Sequence, residues 1–135
     1  MYALYVTHPQ VRMDPAVPVP HWGLSDKGRA RAEAFARHPL ALAARRIISS
    51  RETKALELAA ILAAASGAPV EHADAFNEND RSATGYVSAE RFERLADAFF
   101  GHPDDAVEGW ETARHAQARI VAAVEAALAA HDPAQ

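Results

Sequence analysis

Two short apolar segments on either side of an alanine-rich helix constrain the fold more than any other feature of this sequence. Residues 46–50 are RIISS, with two β-branched side chains between polar ends, and residues 69–72 are PVEH. Between them, residues 52–66 place their apolar side chains close to one helical face, and Gly67 stands where such a helix ends. A strand, a helix and a strand in this order predict a parallel pair joined by a right-handed crossover.

The N-terminus predicts a further strand of the same kind. Residues 2–7 are YALYVT, with no polar alternation before Thr7, a pattern typical of a strand buried on both faces. Residues 9–24 contain four prolines and predict an ordered loop, after which Ser25 is a good N-cap for a helix that ends before the His38-Pro39 pair. We therefore expect an α/β fold, a three-layer sandwich in which helices cover a mostly parallel sheet.

The second half of the chain predicts a loop and two helices. Residues 76–86 are polar, Ser88 is positioned to cap a helix that runs to Gly101, and residues 104–131 have an apolar side chain every three or four positions. The last pattern predicts one long amphipathic helix whose apolar stripe needs a covering surface. Because a further strand normally follows such a helix, we expect one domain over residues 1–135 that is the N-terminal portion of a longer protein, or a short relative of one.

Composition excludes several classes of protein. Half of the 135 residues are hydrophobic and 24% are charged, which excludes a disordered chain and suits a single domain. The formal charge of −4 provides no basic field for a nucleic acid or an anionic membrane, and no apolar stretch reaches membrane-spanning length. With no cysteine, disulfides, thiolate metal sites and thiol catalysis are excluded, and the cytoplasm is the expected compartment.

Three chemically active side chains follow the predicted strands. In open α/β sheets, ligands bind beyond the carboxyl ends of the strands, where the sequence has His8, Lys54 and Glu78. An imidazole that attacks, a cation that neutralises phosphate oxygens and a carboxyl that protonates the leaving oxygen are the minimum set for phosphoryl transfer. Taken singly, none of the three is specific. His8 could be an ordinary residue at the end of a strand, Lys54 an ordinary residue on a helix surface, and Glu78 an ordinary residue in a loop.

Four sequence blocks resemble a known family in their order and spacing. The histidine phosphatase superfamily, also called phosphoglycerate mutase-like, is similar in its blocks to YVTHPQV, LSDKGRARAEAFA, IISSRETKALELAAILA and AFNEND. The positions that align with the family's patterns are Thr7, His8, Pro9 and Gln10; Leu24, Ser25, Gly28 and Ala32; Ser49, Ser50, Lys54, Ala55, Leu58 and Ala59; and Phe76, Asn77 and Glu78.

The resemblance implies a phosphatase that acts on a small-molecule phosphomonoester. His8 would be the nucleophile, as a neutral imidazole whose other ring nitrogen is held by a backbone carbonyl, and Glu78 would protonate the leaving oxygen. Lys54, Thr7 and Arg12 would contact the phosphate. No cofactor is implied. We expect no metal either, because the seven histidines include no pair spaced by four residues and no spacing typical of metal ligands.

The sequence departs from the family at the phosphate. Thr7 and Lys54 stand where the family has arginines. Two guanidinium groups that could each make paired hydrogen bonds to a phosphate are thus replaced by a hydroxyl and an ammonium group. Arg31 stands where the family has a glutamine. Arg12, Arg51 and Arg81 are nearby candidates to restore the charge. The family's second histidine has no match before Gln135, since His131 falls in or just after the last predicted helix.

These departures keep other functions open. One alternative is a non-catalytic ligand-binding or regulatory module on the same fold, and another is a phosphomutase, which returns the phosphoryl group to a second hydroxyl. Two further choices concern packing. His21 and Trp22 either cover the His8 pocket or pack within their own loop. Phe99, Phe100 and Trp110 form core, a ligand platform or a homodimer surface, and core is preferred to the ligand platform.

Overall fold

The computed structural model describes residues 3–131, which form two compact units. Unit 1 consists of residues 3–74 with His131, and unit 2 consists of residues 75–130. The elements of unit 1 are α1 (Asp26–Ala36), α2 (Pro39–Leu42), β1 (Ile47–Ser49), α3 (Thr53–Ser66) and β2 (Val70–His72). Those of unit 2 are α4 (Ala89–Gly101) and α5 (Ala113–Ala129). Single 3₁₀ turns occur at Val19–His21, Asp74–Phe76 and Val107–Gly109.

The predicted strand–helix–strand unit is confirmed. β1 and β2 are parallel neighbours, with Ile47 opposite Val70 and Ser49 opposite His72. Between them α3 ends at Gly67, whose φ of 76° lies in the left-handed region that glycine adopts readily. An open parallel sheet with helices around it is the α/β class that the sequence predicts.

The first helix begins where its capping residue predicts. The Oγ of Ser25 accepts a hydrogen bond from the amide of Gly28 at 3.0 Å, which satisfies one of the unpaired donors at the start of α1. α1 and α3 then share an apolar core, in which the buried side chains and their half-buried neighbours are Leu24, Ala32, Leu58, Ile61 and Leu62. This core places the start of α1 beside the chain that precedes it.

The predicted first strand is wrong. Residues 3–7 have irregular backbone and exposed side chains, including Tyr5 at 72% and Leu4 at 48%, and Tyr2 lies outside the described residues. The earliest strand-like pairing of the described chain is a single antiparallel bridge between Val11 and Leu24. Aromatic and β-branched residues favour a strand only where a partner strand offers hydrogen bonds, and β1 pairs with β2 rather than with residues 3–7.

The long helix predicted over residues 104–131 is shorter in the structure. Glu108 has a φ of 47° and Gly109 a φ of 80°, values that a helix cannot contain. α5 starts only after Thr112, whose Oγ accepts from the amide of His115 at 3.1 Å. Trp110 therefore lies outside the helix. Val107 and Trp110, the first apolar residues of the spacing that predicted a longer helix, lie in and just after the 3₁₀ turn instead.

The core of unit 2 forms around Trp110. Its side chain is 3% exposed and packs with the buried Leu95 and Phe99 of α4, whereas the neighbouring Phe100 is 75% exposed. Of the alternatives left open for these aromatic residues, core packing is the one that Phe99 and Trp110 adopt. α4 begins as predicted, with the Oγ of Ser88 accepting from the amide of Arg91. Across residues 3–131, no helix combines the length and the hydropathy needed to cross a membrane.

Candidate active site

The imidazole of His8 is held by a backbone carbonyl. Its Nδ1 lies 2.8 Å from the carbonyl oxygen of Pro9, and the side chain is half-buried. A carbonyl oxygen only accepts hydrogen bonds, so Nδ1 carries the hydrogen and the lone pair of the neutral ring is on Nε2. This is the backbone contact that the family resemblance implies for the nucleophile.

The chain just after His8 is anchored to the start of α1. Ser25 donates its amide to the Gln10 carbonyl at 3.0 Å and its hydroxyl to the Gln10 Oε1 at 2.8 Å. Gly28 lies so close to this segment that an added Cβ would stand 2.0 Å from the same carbonyl oxygen. Residues 3–7 are irregular and exposed, but the backbone two residues beyond His8 is thus fixed on a helix.

His8 lines an open depression of about 480 Å³, together with Pro9, Gln10, Val11, Met13 and Arg31. Arg31 projects from α1 and supplies the cation of this surface. Among residues 3–131 it makes no ion pair with an acidic side chain. The sequence marked Arg31 only as a departure from the family pattern, so this cation beside His8 was not predicted as a site residue.

Thr7, Arg12 and Lys54 are not among the residues that line this depression. Thr7 is exposed in the irregular N-terminal segment. The exposed Arg12 lies 3.7 Å from Asp26. Arg51, a further candidate to restore charge, is also exposed and lies 3.4 Å from Asp74.

Lys54 is in a buried polar cluster at the end of β1. It is 4% exposed, and its Nζ lies 3.9 Å from Oε1 of the equally buried Glu52. The hydroxyls of Ser49 and Ser50 are bonded locally, the first donating to the Ser50 carbonyl at 2.8 Å. A strand end was expected here. The burial of two charged side chains was not expected. Charges are buried where they are paired, and pairing depends on tertiary contacts that the sequence does not reveal.

Glu78 lies in unit 2, in the loop that follows the 3₁₀ turn at Asp74–Phe76. Its side chain is 39% exposed, and its Oε2 accepts from Nη2 of Arg81 at 3.3 Å. The Arg81 guanidinium also lies over two aromatic rings, 5.1 Å from the centroid of Phe92 and 5.9 Å from that of Trp110. Arg81 is therefore an immediate neighbour of the predicted acid.

Arg119 of α5 binds the backbone around Glu78. Its Nη1 donates to the carbonyls of Ala75 at 2.8 Å and Asn77 at 2.7 Å, and its Nη2 donates to that of Glu78 at 3.2 Å. The sequence reasoning missed this residue. A signal existed in Glu111, His115 and Arg119, whose spacing of four positions would place them on one face of a helix.

Glu111 is the counter-charge of Arg119. Its two carboxylate oxygens accept from Arg119 at 2.8 and 3.0 Å, from the ring of His115 at 2.6 Å and from the amide of Asp80 at 3.1 Å. The Arg119 hydrogen bonds, aided by those of His115 and Asp80 and opposed by desolvation, lower the pKa of Glu111 from 4.5 to about 2. Glu111 is consequently ionised at neutral pH.

Trp22 packs its own loop. Its indole Nε1 donates to the carbonyls of Asp14 and Val17, both at 3.0 Å, and the side chain is 8% exposed. His21 is exposed in the adjoining 3₁₀ turn. Of the two roles left open for this pair, loop packing is the one that Trp22 adopts.

A family comparison covers most of the chain. The model of the histidine phosphatase superfamily (branch 1) matches residues 12–135. The match begins after His8, which lies outside it. No curated protein matches the sequence significantly.

Solved structures share the fold. A mycobacterial glucosyl-3-phosphoglycerate phosphatase in complex with inorganic phosphate aligns with 92% of this chain and 61% of its own, at 23% identity and a TM-score of 0.70. A structure described as mycobacterial hydrolase 2 aligns with 92% of this chain and 56% of its own, at 21% identity and a TM-score of 0.73. The present chain thus spans about three fifths of the length of these structures. The family match over residues 12–135, together with the shared fold, makes this chain a member of the histidine phosphatase superfamily.

Proposed function

We propose that this protein hydrolyses small phosphomonoesters through a phosphohistidine intermediate on His8. The observation that carries the proposal is the hydrogen bond between Nδ1 of His8 and the Pro9 carbonyl, in the wall of a depression that also contains Arg31. In the neutral tautomer this bond places the hydrogen on Nδ1 and the lone pair on Nε2, which is the form of histidine that attacks phosphorus.

The reaction has two steps. In the first, Nε2 of His8 forms a bond to phosphorus while the bond from phosphorus to the ester oxygen breaks, and Glu78 gives its proton to that oxygen. In the second, a water molecule attacks the phosphoryl group, Glu78 takes a proton from the water, and the bond from phosphorus to nitrogen breaks. Inorganic phosphate and the free alcohol are the products.

Arg31 is the cation that we assign to the phosphoryl oxygens. It shares the depression with His8 and has no acidic partner in the part of the chain that the structure describes. Lys54 is less suited, since the Glu52 carboxylate beside it already offsets its charge. With a single arginine in place of the family's two phosphate-binding arginines, we expect slow turnover, because each such donor stabilises the transition state by roughly 2 to 4 kcal/mol.

The test compares two histidine variants. Purified wild type, His8→Asn and His21→Asn would be incubated with an aryl phosphate, an alkyl phosphate and a glucosyl-3-phosphoglycerate, which is the substrate named for the structural relative. We expect turnover and an alkali-stable, acid-labile phosphoryl label in wild type and in His21→Asn, and neither in His8→Asn. Activity that persists in His8→Asn would overturn the mechanism.

A second candidate is a non-catalytic phosphate-ester-binding module. The buried Lys54–Glu52 pair favours it, because a carboxylate of the protein itself occupies the neighbourhood of the predicted phosphate cation. Calorimetric titration with the same three esters separates the two functions. Saturable binding without product or label indicates the module, whereas product formation that depends on His8 indicates the enzyme.

A further inference from the structure

We propose that Arg119 is a positioning residue for the loop that carries Glu78, with Glu111 holding Arg119 in place. This inference rests on the proposed function, in which Glu78 is the proton donor. It concerns residues 75–80 and α5, all within unit 2.

All five N–H groups of Arg119 have an acceptor. Nη1 binds the carbonyls of Ala75 and Asn77, Nη2 binds the Glu78 carbonyl and Oε1 of Glu111, and Nε binds Oε2 of Glu111. The guanidinium is planar and its donors are fixed relative to one another. Five simultaneous bonds therefore determine where three carbonyls of the loop lie with respect to α5.

Glu111 also binds the backbone of this loop, at Asp80. Its carboxylate accepts from the Asp80 amide at 3.1 Å, and its own amide donates to the Asp80 carbonyl at 2.9 Å. The side chains of Glu111 and Arg119 are 10% and 21% exposed, so that water competes little for these bonds. Five backbone groups of residues 75–80 are thus hydrogen-bonded to Glu111 or Arg119.

This attachment matters because Glu78 has little secondary structure to fix it. Residues 77–81 have irregular backbone, and the Glu78 side chain is partly exposed. A proton donor acts only when it lies within hydrogen-bond reach of the leaving oxygen, and displacements of about 1 Å reduce the rate strongly. Holding the Glu78 carbonyl limits the positions that its carboxyl can reach.

The structural part of the proposal is tested without activity. Hydrogen–deuterium exchange of residues 75–82 would be compared in wild type, Arg119→Met, Arg119→Lys and Glu111→Gln. Arg114→Met is the matched control, since Arg114 lies on the same helix and forms its ion pair with Asp104 instead. We expect exchange to accelerate tenfold or more in Arg119→Met, less in Arg119→Lys, and not in Arg114→Met. Unchanged exchange in both Arg119→Met and Glu111→Gln would overturn the proposal.

The catalytic part is tested by the leaving group. A p-nitrophenolate ion leaves without protonation, whereas an alkoxide requires it, so loss of a positioned acid affects kcat/KM for alkyl phosphates selectively. We expect Arg119→Met to follow Glu78→Gln, with a tenfold or greater loss on an alkyl phosphate and less than a twofold loss on p-nitrophenyl phosphate. Equal losses on both substrates would indicate a purely structural role and overturn the proposal.

The two proposals fail in different ways. If Glu78→Gln affects neither substrate while His8→Asn abolishes turnover, the acid assignment in the proposed function is wrong, and so is the catalytic role of Arg119. If Glu78→Gln impairs the alkyl phosphate and Arg119→Met does not, the proposed function stands and the positioning role is refuted. Melting temperatures of all variants show whether a loss of rate reflects unfolding.

Discussion

Lys54 and Glu52 form an ion pair that is almost wholly withdrawn from water. Nζ of Lys54 lies 3.9 Å from Oε1 of Glu52, and the two side chains are 4% and 7% exposed. Burial removes the hydration of both charges, and their mutual attraction offsets that cost only while both are present. The pair therefore makes the end of β1 sensitive to the loss of either partner.

The first prediction concerns this pair. Glu52→Gln and Lys54→Met should each lower the free energy of unfolding by about 3 kcal/mol or more, because each removes one member of a buried ion pair. The double variant should lose much less than the sum of the two. Urea denaturation measures all three, with Glu71→Gln at the exposed Arg46–Glu71 pair as a control that should change stability little. Strictly additive losses would contradict the coupling.

The second prediction concerns the close approach of α1 to the segment after His8. Alanine normally stabilises a helix by about 1 kcal/mol over glycine, yet a Cβ at Gly28 would lie 2.0 Å from the Gln10 carbonyl oxygen. We expect Gly28→Ala to destabilise the protein by about 1 to 3 kcal/mol and to reduce the proposed phosphatase activity, since the backbone beside His8 must move. Thermal unfolding and turnover are the measurements.

Gly101 provides the matched control for this substitution. It also lies in a helix, and an added Cβ would meet no atom within 4 Å. Gly101→Ala should leave both stability and activity at or above the wild-type level. If Gly28→Ala behaved in the same way, the packing described between α1 and Gln10 would be incorrect.

The elements that could be predicted are those defined by neighbouring residues. Ser25 caps α1 and Gly67 ends α3, and both effects act within a few positions of the chain. β1 and β2 were also identifiable, because the helix between them brings two short apolar segments side by side. Local chemistry and a short crossover were sufficient for this part of the fold.

The errors concern interactions between distant positions. Residues 3–7 have the composition of a strand but no strand beside them, and Trp110 fits a helical spacing although it is an extended residue that follows a turn. In the site, the catalytic assignments of His8 and Glu78 rested on their positions after predicted strands and on the family resemblance, and they remain predictions. The role of Arg119 was missed because the three loop carbonyls that it binds are more than forty positions away, and any residue type can supply a carbonyl.

The third prediction concerns acid stability. The pKa of Glu111 is lowered from 4.5 to about 2 in the folded protein, so the unfolded state binds a proton first as the pH falls. The stabilisation from Glu111 is complete above pH 4.5 and is lost as the pH falls from there to about 2, at most about 3 kcal/mol. Glu111→Gln should flatten this part of the stability curve, measured by urea unfolding between pH 2 and 7. Glu125→Gln, on the exposed face of α5, should leave it unchanged.

The fourth prediction concerns the core of unit 2. Trp110 is 3% exposed, packs on Phe99 and donates its indole hydrogen to Thr84 at 2.9 Å. Trp110→Ala should reduce the free energy of unfolding by about 3 to 5 kcal/mol, because it leaves a cavity and removes the hydrogen bond to Thr84. Phe100→Ala removes an aromatic ring that is 75% exposed and should cost far less. Similar losses for the two variants would show that Trp110 is not central to this core.

The last prediction concerns the cation beside His8. If Arg31 binds the phosphoryl group, Arg31→Met removes a charge-assisted hydrogen bond and should lower kcat/KM roughly tenfold or more for every phosphomonoester. It should weaken inhibition by inorganic phosphate to a similar extent, because the product presents the same oxygens. Arg37→Met alters an exposed arginine that follows α1 and does not line the depression, so its kinetics should match wild type. Unchanged phosphate inhibition in Arg31→Met would show that the phosphoryl group binds elsewhere, and Lys54 would then be the next cation to test.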